Sequence, residues 1–174
     1  NVTVTNNGLL PYYNDKWNAG FDINLKGQVA YKNLVFKNMV FTGNALGYQE
    51  GAALMIKARD DATGYSAFPA SLNNVVIDGG IFTGNERGIR IGEPGKNNIG
   101  PLGVQIHNAS IYGNVATYVN TSSPLDLSLN PSIVGGVINQ TQSVVDARDN
   151  WWGAANGPSG KGTGSGDAVD WTNA

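Results

Sequence analysis

Two short groups of charged residues are where this sequence could do chemistry. Lys57, Arg59, Asp60 and Asp61 follow the apolar run Leu54–Ile56, and Glu86, Arg87, Arg90 and Glu93 form a second such group. Paired carboxylates beside a basic side chain can hold a calcium ion and abstract a proton from an acidified carbon. Lys57, Asp60, Asp61 and Arg90 are therefore the catalytic candidates. The ordinary alternative is a charged flank on two exposed strands. Asp167 and Asp170, beside a Gly-rich stretch, are candidate calcium ligands, although no EF-hand or nonapeptide calcium pattern is present. His107 is the single histidine and there is no cysteine. That leaves no multi-His metal site, no thiolate chemistry and no disulfide within the chain.

Aromatic side chains suggest a different activity, because their faces can stack on sugar rings. Tyr12, Tyr13 and Trp17 cluster in one inserted loop, and Tyr48, Tyr65 and Phe68 occur in or near the next ones. Loops carry function more often than the scaffold they decorate. The alternative is that these rings only cover the side of the scaffold.

The scaffold must be rich in turns. Of 174 residues, 66 are Gly, Asn, Ser or Thr, while charged residues make up only 14%. Gly and Asn form helices poorly and turns well, which excludes a helical bundle and favours an all-β chain. A formal net charge of -2 speaks against nucleic acid as a partner. No apolar run is long enough to span a membrane.

Three segments align without gaps: Asn33-Leu-Val-Phe-Lys-Asn-Met-Val-Phe-Thr-Gly-Asn44, Asn74-Val-Val-Ile-Asp-Gly-Gly-Ile-Phe-Thr-Gly-Asn85 and Gly103-Val-Gln-Ile-His-Asn-Ala-Ser-Ile-Tyr-Gly-Asn114. Counted from the first apolar residue, offsets 0, 2 and 7 are apolar and offset 4 is Asn or Gly. The same offsets fit from Val2 and from Val145, giving Trp152 the place held by Phe41, Phe82 and Ile111. Offsets 0 and 2 share one strand face. Offset 4 reads as a corner, where Asn or Gly tolerates left-handed backbone angles. Asn38 and Asn108 are structural residues on this reading, within a corner amide ladder of Asn6, Asn38, Gly79, Asn108 and Asp149. Two or three short strands per period describe a right-handed parallel β-helix, a solenoid of about five to six coils with inserted loops. Leu34, Phe36, Phe41, Val75, Ile77, Phe82, Val104, Ile106 and Ile111 should be buried and aligned.

These repeats resemble pectate-lyase-like right-handed β-helix proteins. Val144-Val-Asp-Ala-Arg-Asp-Asn-Trp-Trp-Gly-Ala-Ala-Asn-Gly-Pro158 is similar to the closing motif of large secreted bacterial and archaeal members. The resemblance implies coils over 1–158 and a Gly-rich tail or cap over 159–174, with Trp151 and Trp152 closing the last coil. It also implies an extracellular or cell-surface setting. Members include lyases, hydrolases, epimerases, adhesins and plain structural segments, so the fold does not select among them. The Asn-Thr-Asp triplet of polygalacturonases and the Asp-Pro-His of alginate epimerases are absent. The expected role is a non-catalytic structural and adhesive segment that contacts polysaccharide or a cell-surface glycan, without a cofactor. The rivals are a self-assembling subunit that associates through its ends, and a calcium-assisted lyase or epimerase on uronate polymers.

Overall fold

The computed structural model describes residues 1–9, 18–48, 50–93, 95–96, 100–115 and 135–171. The chain begins with β1 (Thr3–Thr5), β2 (Ala19–Leu25), β3 (Ala30–Lys37), β4 (Val40–Thr42) and β5 (Ala52–Ala58). A short helix, α1 (Ala62–Ala67), precedes β6 (Ser71–Asp78), β7 (Ile81–Thr83), β8 (Ile89–Ile91), β9 (Leu102–His107) and β10 (Ser110–Tyr112). Four more follow among the described residues: β11 (Val137–Asn139), β12 (Val145–Asp146), β13 (Pro158–Gly160) and β14 (Gly166–Trp171).

The strands form three parallel sheets. Sheet A has the order β1-β4-β7-β10, sheet B β13-β14-β11-β8-β5-β2, and sheet C β12-β9-β6-β3. Every described pairing between these strands is parallel. From β1 to β12 successive strands fall in A, B and C in turn.

The expected right-handed parallel β-helix, a solenoid of about five to six coils, does not stand. The strands are parallel and nearly helix-free as expected, but they lie in three separate sheets of four, six and four strands. The spacing of apolar residues specifies strand, corner and strand. It does not specify how strands are shared among sheets. Asn38, Gly79 and Asn108 take φ values of 49°, 72° and 57°, and end β3, β6 and β9 before β4, β7 and β10 begin. Left-handed angles of this kind break a strand, and Asn and Gly tolerate them at least cost.

The inward residues align across each sheet. Leu34, Val75, Val104 and Val145 follow one another in sheet C, as do Phe36, Ile77 and Ile106. Phe41, Phe82 and Ile111 do so in sheet A, with the Phe41 and Phe82 rings stacked at 5.0 Å. All the residues expected in the core are buried except Leu34, which is half-buried. Leu34 lies on β3, at the edge of sheet C, where no described strand covers its far side. Trp152 is 5% exposed within the core and Trp151 is 48% exposed. Pro158, the last residue read as coil, opens β13, and the stretch read as a tail supplies the rest of β13 and β14 at the edge of sheet B.

Candidate functional site

The charged candidates are not on a solvated flank. Lys57 and Arg90 alternate outward from the inward Ile56 and Ile91, yet Lys57 is 1% and Arg90 0% exposed. The Lys57 Nζ donates to Asp22 Oδ2 at 3.1 Å and to Glu93 Oε1 at 2.8 Å. Lys96 Nζ approaches Glu93 Oε2 at 2.9 Å. Burial pushes the Glu93 carboxyl up, but the Lys57 and Lys96 ammonium groups outweigh it and hold the group below the usual carboxylate range. Arg90 is ion-paired to Glu50 and donates from Nη1 to the Glu50 carbonyl at 3.2 Å. Burial drives its pKa down to about 10, against the opposing pull of Glu50. Arg87 Nη1 donates to the Gly51 carbonyl, and Glu86 Oε2 accepts from the Gly47 backbone. Together these bonds tie Gly47, Glu50 and Gly51 to β8 and to the connection that precedes it.

Such groups make a poor proton-transfer site. A base must reach its substrate with a free lone pair. The Lys57 ammonium spends its donors on two carboxylates and is shut away from solvent. Its register partner is Asn24, while Arg90 lies beside Met55, so the two cations do not converge on one carbon. Asp61 accepts from Arg59, which also stacks over the Tyr65 ring at 4.9 Å. The Arg59 bond holds the Asp61 carboxyl below its ordinary value. The Asp60 backbone nitrogen donates to the Lys96 carbonyl at 3.2 Å. No group of three or more metal-ligating side chains among the described residues is placed to hold an ion.

Asp167 and Asp170 do not converge on a cation either. Both Asp167 oxygens accept hydrogen bonds, from Gly113 N at 2.9 Å, Asn114 N at 3.0 Å and Asn114 Nδ2 at 2.8 Å. Asp170 accepts from the Trp171 backbone and faces Lys161 at 3.1 Å. His107 touches the Arg148 carbonyl at 3.0 Å, and Asp146 is held at about 2 mainly by its bond from Arg148.

The Asp167 bonds complete a buried amide ladder that the sequence reading placed on the wrong residues. Asn44 Nδ2 donates to Asn85 Oδ1 at 2.8 Å, and Asn85 Nδ2 to Asn114 Oδ1 at 2.9 Å. Each of these asparagines also donates to a backbone carbonyl: Val4, Phe41 and Phe82 in turn. An amide both donates and accepts, so it propagates such a row, whereas the Asp167 carboxylate only accepts and ends it. The corner residues Asn38 and Asn108 do not form the expected ladder. Asn108 donates to Asp78 at 3.0 Å, and a Cβ on Gly79 would strike the Asn38 amide oxygen. The repeated Gly-Asn pair was the available signal for the true ladder. A scan against protein-family models, curated proteins and solved structures finds no match for this chain.

Aromatic candidates Tyr12, Tyr13 and Trp17 lie outside the described residues. Tyr48 and Tyr65 are half-buried. Two other exposed rings share the outer face of sheet A. Ser110 bridges Trp151 in parallel, so Trp151 extends sheet A beyond β10, one diagonal step from Tyr112. Both rings face outward, 48% and 38% exposed, beside the aligned hydroxyls of Thr42 and Thr83. No helix among the described residues is long and apolar enough to cross a membrane.

Proposed function

We propose that this chain is a non-catalytic structural and adhesive element that contacts polysaccharide through the outer face of sheet A, in an extracellular or cell-surface setting. The observation that supports it is the outward placement of Trp151 and Tyr112, both exposed, at one edge of sheet A. A pyranose ring presents an apolar C–H face to such rings, and nearby threonine hydroxyls can take its hydroxyl groups. The buried ion pairs around Lys57 and Arg90 argue against proton abstraction and fit a role in holding the loops. The test is affinity electrophoresis and tryptophan fluorescence titration against neutral and uronate polysaccharides. At least one should retard the protein and shift its emission, and Trp151→Ala should weaken that binding about two- to tenfold, the scale of one lost ring contact. Binding unchanged in Trp151→Ala and Tyr112→Ala would remove this face from consideration. Unsaturated-uronate product in the same mixtures, abolished by Lys57→Ala, would restore the enzyme reading.

A further inference from the structure

The outer face of sheet A presents two rows of side chains that run across its strands. Val4, Phe41, Phe82 and Ile111 pack into the core, so the residues on either side of each point outward. One row is Thr5, Thr42, Thr83 and Tyr112, in register from strand to strand. The other is Thr3, Val40, Ile81, Ser110 and Trp151. Every member of the first row carries a hydroxyl, and these hydroxyls make no hydrogen bond to any described residue. The second row is apolar along its middle, where Ile81 is 39% exposed. No side chain in either row is charged. Gly153 abuts the Tyr112 Cβ and adds no side chain to cover that ring.

We infer that the ligand of this face is a neutral, extended, β-1,4-linked glycan chain lying across the strands, which names the substrate class within the polysaccharide reading above and rests on it. Neighbouring strands lie ~4.8 Å apart, and a chain with equatorial linkages advances by about one strand spacing per sugar. Such a chain keeps one sugar over each strand. The positions from β1 to Trp151 span roughly 19 Å and take about five sugars. The rows lie ~6.6 Å apart, two residues along each strand, so one sugar touches both. Its C–H face rests on Val40, Ile81 or Trp151, and its hydroxyl edge meets the hydroxyls of the other row. An α-1,4-linked chain coils and falls out of this step. A uronate chain carries a carboxylate on every sugar, and carboxylates are recognised by Arg or Lys. Covering them on an uncharged face loses their hydration with nothing in return.

Isothermal titration calorimetry against β-1,4-linked glucose oligosaccharides of about two to eight sugars tests this, beside α-1,4-linked glucose and galacturonate series of equal lengths. Affinity for the β-1,4 series should rise with length up to about five sugars and then level off. Thr42→Val removes one hydroxyl and Ile81→Thr one apolar contact. Both put β-branched residues on an outward face, so the chain should fold. Each should weaken binding of the chain of about five sugars some two- to tenfold. Each should leave the disaccharide, seated on Trp151 and Tyr112, unaffected. Tightest binding of the galacturonate series, weakened by Trp151→Ala, would overturn this inference and leave the polysaccharide reading standing. Equal affinity for the α-1,4 series, or a β-1,4 affinity that levels off at the disaccharide, would do the same. No binding of any series, nor of the parent polymers, would overturn both.

Discussion

Trp151 and Trp152 are adjacent in sequence and lie in opposite environments, which makes them a direct test of the register at the residue scale. Trp152 sits beside Ile111 in the core, whereas the Trp151 ring is half in solvent. Truncating a buried aromatic leaves a cavity that the surroundings fill only partly, at about 3–5 kcal/mol. A surface ring costs little to remove, on the order of 0.5–1 kcal/mol. Trp152→Ala should therefore lower the urea midpoint far more than Trp151→Ala, with an unchanged slope. Equal midpoints would mean that the pair is set one residue out of register. The aromatic at offset 7 was legible in advance because Phe41, Phe82 and Ile111 hold the same place. The Gly-Asn ladder was not, since an asparagine after glycine reads equally well as the end of a turn. Nothing in a single repeat shows that Asn44, Asn85 and Asn114 lie over one another.

At the scale of elements, alternation is a guide to direction but not to exposure. On sequence alone Lys57, outward on β5, is either a catalytic candidate or part of an exposed charged flank, yet all seven residues of that strand are buried. Segments far along the chain supply Glu50 and Glu93, the partners of Arg90 and Lys57, and the local pattern cannot show such contacts. Likewise the apolar spacing marked the strands near 34, 75 and 104 but not their division among three sheets. The Lys57–Glu93 pair gives this scale its prediction. Glu93 is held below the ordinary carboxylate range in the fold, so it binds protons less readily there than in the unfolded chain. Its stabilisation is complete above the unfolded value, about 4.3. It is lost as pH falls through the lower folded value. Glu93→Gln leaves Lys57 buried with one carboxylate fewer, and breaking such a pair costs about 3 kcal/mol. The stability gap between parent and Glu93→Gln should be full near neutral pH and should narrow below about pH 4. A gap that stays constant down to pH 3 would show that the carboxylate charge contributes nothing.

Across the whole molecule, the amide ladder ties segments that the chain keeps far apart. It runs from the Asn7 backbone through Asn44, Asn85 and Asn114 to Asp167. Each sheet pairing couples only neighbouring strands, so an array of this kind could unfold piecemeal from its edge strands. A buried row in which each member satisfies the next opposes that, because removing one member orphans groups on both sides. Asn85 is 0% exposed, accepts from Asn44 twice, and donates to Asn114 and to the Phe41 carbonyl. A leucine there is close in size but returns none of these bonds. Each buried polar group left unpaired costs about 1–3 kcal/mol, so Asn85→Leu should lose on the order of 3 kcal/mol or more. Its unfolding should also broaden, with hydrogen exchange near β1 and β4 rising ahead of exchange near β11 and β14. If Asn85→Leu unfolds as sharply as the parent, with protection lost evenly from end to end, the sheets alone hold the molecule together and the ladder is incidental to its cooperativity.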